Sequence, residues 1–267
     1  MLQQYELYTN AGPSQAESAT VTAPSSTVDT EGYLFFNCHI TGSKTSTSGS
    51  FGRPWGANGG PAAHYINTII DNAGSGGGKL IGSAGWSAMS GNKPENARFG
   101  EYNSIDSSGN KIDTSGRTKG TILNEWTMLR YNPLTFTLGN DGWDPAGLIS
   151  TYADVNNVLN TTTIDTSDST TNEIALPQAP SGYEFKWESV SEFAKVSSDG
   201  TKVTLIRPAF GEQPIDAAIK LYVRESGNKE IGAEKSIKFS ILPTSDTENV
   251  FNVSGTVTLS KVSDAEQ

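Results

Sequence analysis

The segment Gly32-Tyr-Leu-Phe-Phe-Asn-Cys-His-Ile40 constrains this chain more than any other. It is a nearly continuous apolar run without helical spacing, and a run apolar on both faces, as Tyr33 to Phe36 is, suits a strand covered on both sides. A parallel sheet or a stacked coil of sheet supplies such cover. Ser18-Ala-Thr-Val-Thr22 and Ala63-His-Tyr-Ile-Asn-Thr-Ile-Ile70 are β-prone in the same way, and Gly/Ser/Asn turns separate the runs. The runs are unevenly spaced, so no repeat can be read from them. One helix is expected after them. Asp144-Pro145 supplies an N-cap and a Pro at the first turn, and Leu148, Tyr152, Val155, Val158 and Leu159 recur at helical spacing.

Beyond residue 150 the chain changes character. Residues 1–150 hold 22 of the 28 Gly and four of the five Trp, with 12 acidic against 9 basic residues (net -3). Residues 151–267 hold 6 Gly and one Trp, with 17 acidic against 10 basic (net -7). Two folds explain such a step more readily than one. The polar stretch Asn160 to Thr171 has little to bury, and the expected division is 1–163, 164–244 and 245–267. In the second part Tyr183-Glu-Phe-Lys-Trp187 and Ser236-Ile-Lys-Phe-Ser-Ile241 alternate with period two, while Lys202 to Ile206 and Ala218 to Val223 are β-rich. Turn signals fall between them at Asp199-Gly200, Pro208 to Pro214 and Ser226-Gly227-Asn228. That pattern predicts a small antiparallel β-sandwich. Phe251 to Leu259 reads as the first strand of a further module or a linker.

The formal charge of -10 and the lack of any Lys/Arg cluster remove the positive field that nucleic acid or an anionic membrane surface requires. No run approaches the roughly 18 apolar residues of a membrane helix. The single cysteine, Cys38, rules out an internal disulfide framework and a Cys-based zinc site, leaving His39 and His64 as the only imidazole ligands. The N-terminal MLQQYELYTNAG has neither a basic nor an apolar signal-peptide region.

Few catalytic motifs survive inspection. No G-x-S-x-G elbow occurs, and both histidines lie in strand-like runs, where packed or half-exposed roles are expected. Gly74-Ser-Gly-Gly-Gly-Lys79-Leu80 fails as a phosphate loop, with Ala73 at the first Gly position and Leu80 where Ser/Thr would hold magnesium. A flexible turn is the expectation there. The informative segment is Gly52-Arg53-Pro54-Trp55-Gly56. In an extended chain residues i and i+2 share a face, so Arg53 and Trp55 are displayed together. A guanidinium pairs with a carboxylate and an indole offers a flat surface to a sugar ring, which is what an acidic carbohydrate needs. The plain alternative is a cation–π or packing pair with no ligand.

Gly32 to Ile40, followed by Phe51-Gly-Arg-Pro-Trp55, resembles the pectin methylesterase family, whose pattern runs G-Y-x-F-x-N-C-x-I and then L-G-R-P-W. Val21-Thr-Ala-Pro24, Gly85-Trp86 and Phe99-Gly-Glu-Tyr102 are similar to further pieces in family order, so the resemblance covers roughly residues 1 to 145. Phe51 replaces the usual Leu, and the Gly-rich 74–78 turn looks like an insertion.

That resemblance implies an all-β fold, with a right-handed parallel β-helix and hydrolysis of galacturonate methyl esters of pectin to methanol and pectate by an aspartyl esterase mechanism. One aspartate attacks, a second serves as general acid and base, and glutamines stabilise the oxyanion, so the resemblance implies no metal and no cofactor. Two roles carry over: Arg53 would orient the nucleophilic carboxylate and Trp55 would line the pectin-binding cleft. The aspartates do not carry over, because their motifs, Q-D-T-L-Y and D-F-I-F-G, are absent from this sequence. The resemblance therefore implies a C-terminal part of a secreted, multidomain carbohydrate esterase, monomeric and inactive by itself, with its aspartates and signal peptide upstream. A non-catalytic polysaccharide-binding or structural module is the alternative. Asp29, Asp71 and Glu101 lie in the right half, but surface or turn roles are expected for them. Val203-Thr-Leu-Ile-Arg-Pro-Ala-Phe-Gly211 and its flanking strands are similar to atypical bacterial immunoglobulin-like modules, which implies a spacer with Trp187 in its core.

Overall fold

A computed structural model describes residues 2–3, 6–9, 20–42, 48–56, 59–71, 79–137, 142–144, 147–166 and 171–245. The chain is built mainly of strands and falls into two compact units. One comprises Met1–Thr163, Gln178–Trp187 and Lys220–Lys235; the other comprises Ile164–Pro177, Glu188–Ile219 and Ser236–Gln267.

Parallel strands dominate the first unit. They are β1 (Leu2–Gln3), β2 (Glu6–Thr9), β3 (Thr20–Thr22), β4 (Tyr33–Phe36), β5 (His39–Gly42), β6 (Ser50–Gly52), β7 (Ala62–Ile66), β8 (Ile69–Ile70), β9 (Arg98–Tyr102) and β10 (Ile105–Asp106). Three sheets result, ordered β1-β4-β7-β9, β10-β8-β5-β2 and β3-β6, and every pairing among their described residues is parallel. Each pass of the chain lays one strand on each sheet, and Trp86 continues the third sheet through a parallel bridge to Gly52.

The apolar runs Gly32 to Ile40 and Ala63 to Ile70 are each two strands rather than one. The chain turns a corner inside each run, at Asn37 (φ 54°) and Asn67 (φ 55°), and a third corner of the same kind follows at Asn103 (φ 53°). Asparagine tolerates this left-handed region better than other side chains with a Cβ. The corners also stack: the Asn37 and Asn67 amides donate to Ile66 O and Tyr102 O on the next pass, and Asn103 Nδ2 donates to Asn67 Oδ1 at 3.0 Å. A polar residue inside an apolar run thus sets both the bend and the register.

The interior of the stack is aromatic. Phe35 and Tyr65 stack at 4.3 Å, Trp86 and Phe99 at 4.2 Å, and Phe51 lies against both Tyr65 and Trp86. On the opposite face of β4 and β7, Leu34, Phe36 and Ile66 are covered by Met128, Leu129 and Tyr222. Cover on both faces is what the Tyr33 to Phe36 run predicts. Met128 and Leu129 come from a 3-10 turn, Thr127–Tyr131, opened by Asn124, whose Oδ1 accepts from the Trp126 and Thr127 amides. Another 3-10 turn, Pro94–Asn96, and the short α1 (Pro133–Thr137) complete this region.

The expected helix is α2 (Ile149–Thr161), and it buries Tyr152, Val155 and Leu159. It starts later than its cap suggests. Asp144 sits upstream, with its two carboxylate oxygens accepting from Leu148 N at 2.8 Å and Ile149 N at 2.7 Å. Orphan amides at the helix start are satisfied by a carboxylate, which also suits the positive end of the helix dipole. Pro145 lies outside the described residues.

The remaining strands are β11 (Glu173–Ala175), β12 (Tyr183–Ser189), β13 (Ala194–Val196), β14 (Lys202–Leu205), β15 (Ile215–Glu225) and β16 (Gly232–Ile241). They form two three-stranded sheets, β11-β14-β13 and β12-β15-β16, and β14 pairs antiparallel with both β11 and β13. The four expected strands are present. β11 and β13 are short and lack a clear alternation of their own. The expected turn at Asp199-Gly200 is made by Gly200 at φ 68° and by Asp199 Oδ1, which accepts from Ser197 Oγ and from the amide and hydroxyl of Thr201. Trp187 is 8% exposed, as a core residue should be. The Gly-rich turn at 74–78 and the strand-like stretch 251–259 lie outside the described residues.

Candidate functional site

Residues 52–56 leave the end of β6 in an extended path. Arg53 N donates to Thr22 O at 3.1 Å and Trp55 N donates to Pro24 O at 2.9 Å, so both residues pair with the preceding pass. Alternation follows: Pro54 is buried, Arg53 is half-buried and Trp55 is 53% exposed. The flanking glycines are required by the backbone. A Cβ on Gly52 would lie 2.4 Å from Thr22 Oγ1, and Gly56 takes φ 143°.

The Arg53 side chain makes no hydrogen bond or ion pair with any described residue, and its Nε is buried without a partner. Neither Arg53 nor Trp55 joins a cation–π or ring pair among the described residues, so the packing alternative finds no geometric support there. A guanidinium nitrogen kept from water without an acceptor costs roughly 1–3 kcal/mol.

Beneath this face the backbone is held from three sides. Phe51 is fully buried, and its carbonyl accepts from Thr22 Oγ1 at 2.8 Å and from Tyr65 Oη at 2.8 Å. Burial pushes the Tyr65 hydroxyl far above its ordinary pKa, so it remains a donor. Arg117 lies over the Phe51 ring, 5.5 Å from its centroid.

Arg117 belongs to a pair that corrects the reading of Glu101. Instead of a surface or turn residue, Glu101 is 1% exposed on β9. Its carboxylate accepts from Arg117 Nε at 2.6 Å and Nη2 at 3.1 Å, while Arg117 Nη1 donates to Gly82 O and Ser83 O. Bidentate pairing and two carbonyls satisfy a charge that could not otherwise be buried. Nothing local in the sequence announces Arg117 as the partner, because the contact joins separate passes of the chain.

Asp29 sits in an exposed turn closed by Thr30 N to Thr27 O, as expected. Asp71 is half-exposed and meets His39 Nε2 at 2.7 Å, and Ser107 Oγ donates to the same carboxylate oxygen at 2.9 Å. Partial burial alone would raise the Asp71 pKa, yet the hydrogen bonds from His39 and Ser107 and the charge of His39 leave it lowered. Ser107 donates to the carboxylate rather than to the imidazole, so this trio lacks the Ser-to-His link that activates a serine nucleophile.

His64 is 2% exposed, stacked on Tyr131 at 3.7 Å, with Nδ1 unpartnered. Burial, then the charges of Arg130 and Arg98, push its pKa down to about 3 against a weaker opposing hydrogen bond that the ring donates to the Tyr33 carbonyl. Among the described residues, no three His, Cys, Asp or Glu side chains are grouped so as to hold a metal ion.

No family model matches this chain, and no curated protein matches it. Among solved structures, a pectin methylesterase in complex with hexasaccharide VII is similar over 54% of this chain and 45% of that one, at 19% identity and a TM-score of 0.37. The chain thus spans less than half the length of that protein.

Proposed function

We propose that this chain is the C-terminal, substrate-holding part of a secreted pectin methylesterase, and that Arg53 and Trp55 face the galacturonate backbone. The observation that carries the reading is the Arg53 guanidinium, which has no hydrogen-bond or ion-pair partner among the described residues and lies two residues from a half-exposed indole. One group takes a carboxylate and the other takes a sugar face. The ordered motifs from Gly32-Tyr33 through Gly52-Arg53-Pro54-Trp55 to Glu101-Tyr102 support the family over other acidic polysaccharide binders.

In this reading the stacked parallel sheets are the last passes of a right-handed parallel β-helix. The six strands after residue 170 are an immunoglobulin-like sandwich, whose sheet orders β11-β14-β13 and β12-β15-β16 match the BED and CFG strands of that fold. It acts as a spacer. The aspartate motifs of the family are absent from this sequence, so the chain binds de-esterified pectin and releases no methanol from esterified pectin.

A non-catalytic polysaccharide-binding module is the second reading, favoured by the absence of a carboxylate beside Arg53 among the described residues. The test is retention on polygalacturonate by affinity electrophoresis, with Arg53→Ala and Trp55→Ala compared to the unaltered chain. Both substitutions should weaken retention by about tenfold. Equal retention of all three proteins would remove the site, and methanol release by this chain would show that its nucleophile lies within these residues after all.

A further inference from the structure

The loop that carries Trp55 is tied to its neighbour by one guanidinium from the next pass of the chain. Arg98, at the start of β9, donates from Nε to Gly59 O at 3.1 Å, and the two N–H bonds of Nη2 are shared among Gly60 O, Thr27 O and Thr30 O at 2.7 Å each. Its partners among the described residues are all main-chain carbonyls, from two neighbouring loops. Thr22 O takes Arg53 N, Pro24 O takes Trp55 N, and Ser26 Oγ donates to Gly60 O while accepting from Ala62 N. The contact is close enough that a Cβ on Gly60 would stand 2.4 Å from Ser26 O. The two loops are therefore joined at two described places, at Arg53 and Trp55 by backbone pairs and at Gly59 and Gly60 by Arg98.

A side chain on a loop holds its direction only as well as the loop holds its shape, and backbone carbonyls gathered on a planar cation are fixed in both distance and angle. We propose that Arg98 is a positioning residue for the binding face: it sets the orientation of Trp55 by locking residues 59–60 against the Thr27 to Thr30 turn. It touches no ligand. This inference rests on the reading of Trp55 as a sugar platform. Lysine cannot substitute, because a point ammonium lacks the fork that spans carbonyls on two loops.

The test is a double-mutant cycle in the full chain, with unesterified hexagalacturonate as the probe and calorimetric titration as the readout. Arg98→Lys and Arg98→Gln should each weaken binding about three- to tenfold, because the loop must then be ordered on association. In a Trp55→Ala background the same changes should have no further effect, a non-additivity that a merely structural residue would not produce. Amide exchange at Gly59, Gly60 and Thr30 should rise in both Arg98 variants. Undiminished binding by the Arg98 variants, or full additivity with Trp55→Ala, would overturn the positioning role. If the unaltered chain itself fails to bind hexagalacturonate, the carbohydrate reading falls instead. The loop claim is then decided by exchange and by iodide quenching of Trp55, and no change in either on Arg98→Gln would overturn it as well.

Discussion

Lowering the pH from 6.5 to 5 should destabilise the stacked-sheet unit through one side chain, His64. The ring is 2% exposed, and its pKa stands at about 3 against 6.5 for an unburied histidine. In the unfolded chain it takes up a proton below 6.5, whereas the folded protein resists doing so until about 3. The unfolded state thus binds more protons across that window, and stability falls as pH falls. Each pH unit is worth about 1.4 kcal/mol, so the loss is about 2 kcal/mol at pH 5 and complete only near the folded pKa. In urea this corresponds to a midpoint about 1 M lower.

The measurement is urea unfolding followed by tryptophan fluorescence at pH 6.5 and pH 5, for the unaltered chain and for His64→Gln. Glutamine carries no proton, so its midpoint should change less by that same amount. A carboxylate whose pKa is held low contributes mainly below this interval. Asp199, for example, is held down to about 2 by hydrogen bonds from Ser197 and Thr201, and its contribution fades only as pH falls below the ordinary carboxylate range. Parallel pH dependence in the two proteins would refute the claim that His64 is buried neutral.

Two further substitutions test the support of the binding face. Arg117→Ala leaves the Glu101 carboxylate, 1% exposed, without its partner and should cost about 3–5 kcal/mol, read as the urea midpoint at neutral pH. Gly52→Ala sets a Cβ 2.4 Å from Thr22 Oγ1, so either β3 or the Arg53 backbone must shift; about 1–3 kcal/mol of stability and part of the affinity for polygalacturonate should be lost together.

Side-chain type and spacing made the strands legible, and contact between distant passes is where legibility ended. Tyr33 to Phe36 was readable as a strand covered on both faces because apolarity on both parities needs two covers, and Phe35 and Leu34 do face different clusters. The corner inside that run was not readable, since Asn37 is one polar residue among apolar ones until it is seen at φ 54° above Asn67 and Asn103. The display of Arg53 and Trp55 followed from local rules, with period two and two glycines sufficing. Glu101 was misread for the opposite reason. Acidic residues are seldom buried, and the exception depends on Arg117, whose approach is set by the close fit over Gly85, where a Cβ would meet Arg117 Cδ at 2.7 Å. Arg98 escaped notice because its acceptors are carbonyls, which every residue carries.

Charge decides how such a site must work. The chain carries -10 overall and residues 1–150 carry -3, so an anionic polymer approaches against an unfavourable background field. In the proposed reading, attraction comes only at contact, through Arg53, with the indole adding an uncharged surface. Raising ionic strength shortens the Debye length from about 30 Å at 0.01 M to about 8 Å at 0.15 M, which screens the distant repulsion before it reaches the half-buried pair. Affinity for hexagalacturonate should therefore hold steady or rise over that range, with the gain appearing in the association rate. A protein that held polyanions by a broad basic surface would instead weaken steeply with added salt. A steep fall here would mean that binding runs through other cations, and that Arg53 is not the contact on which the polymer depends.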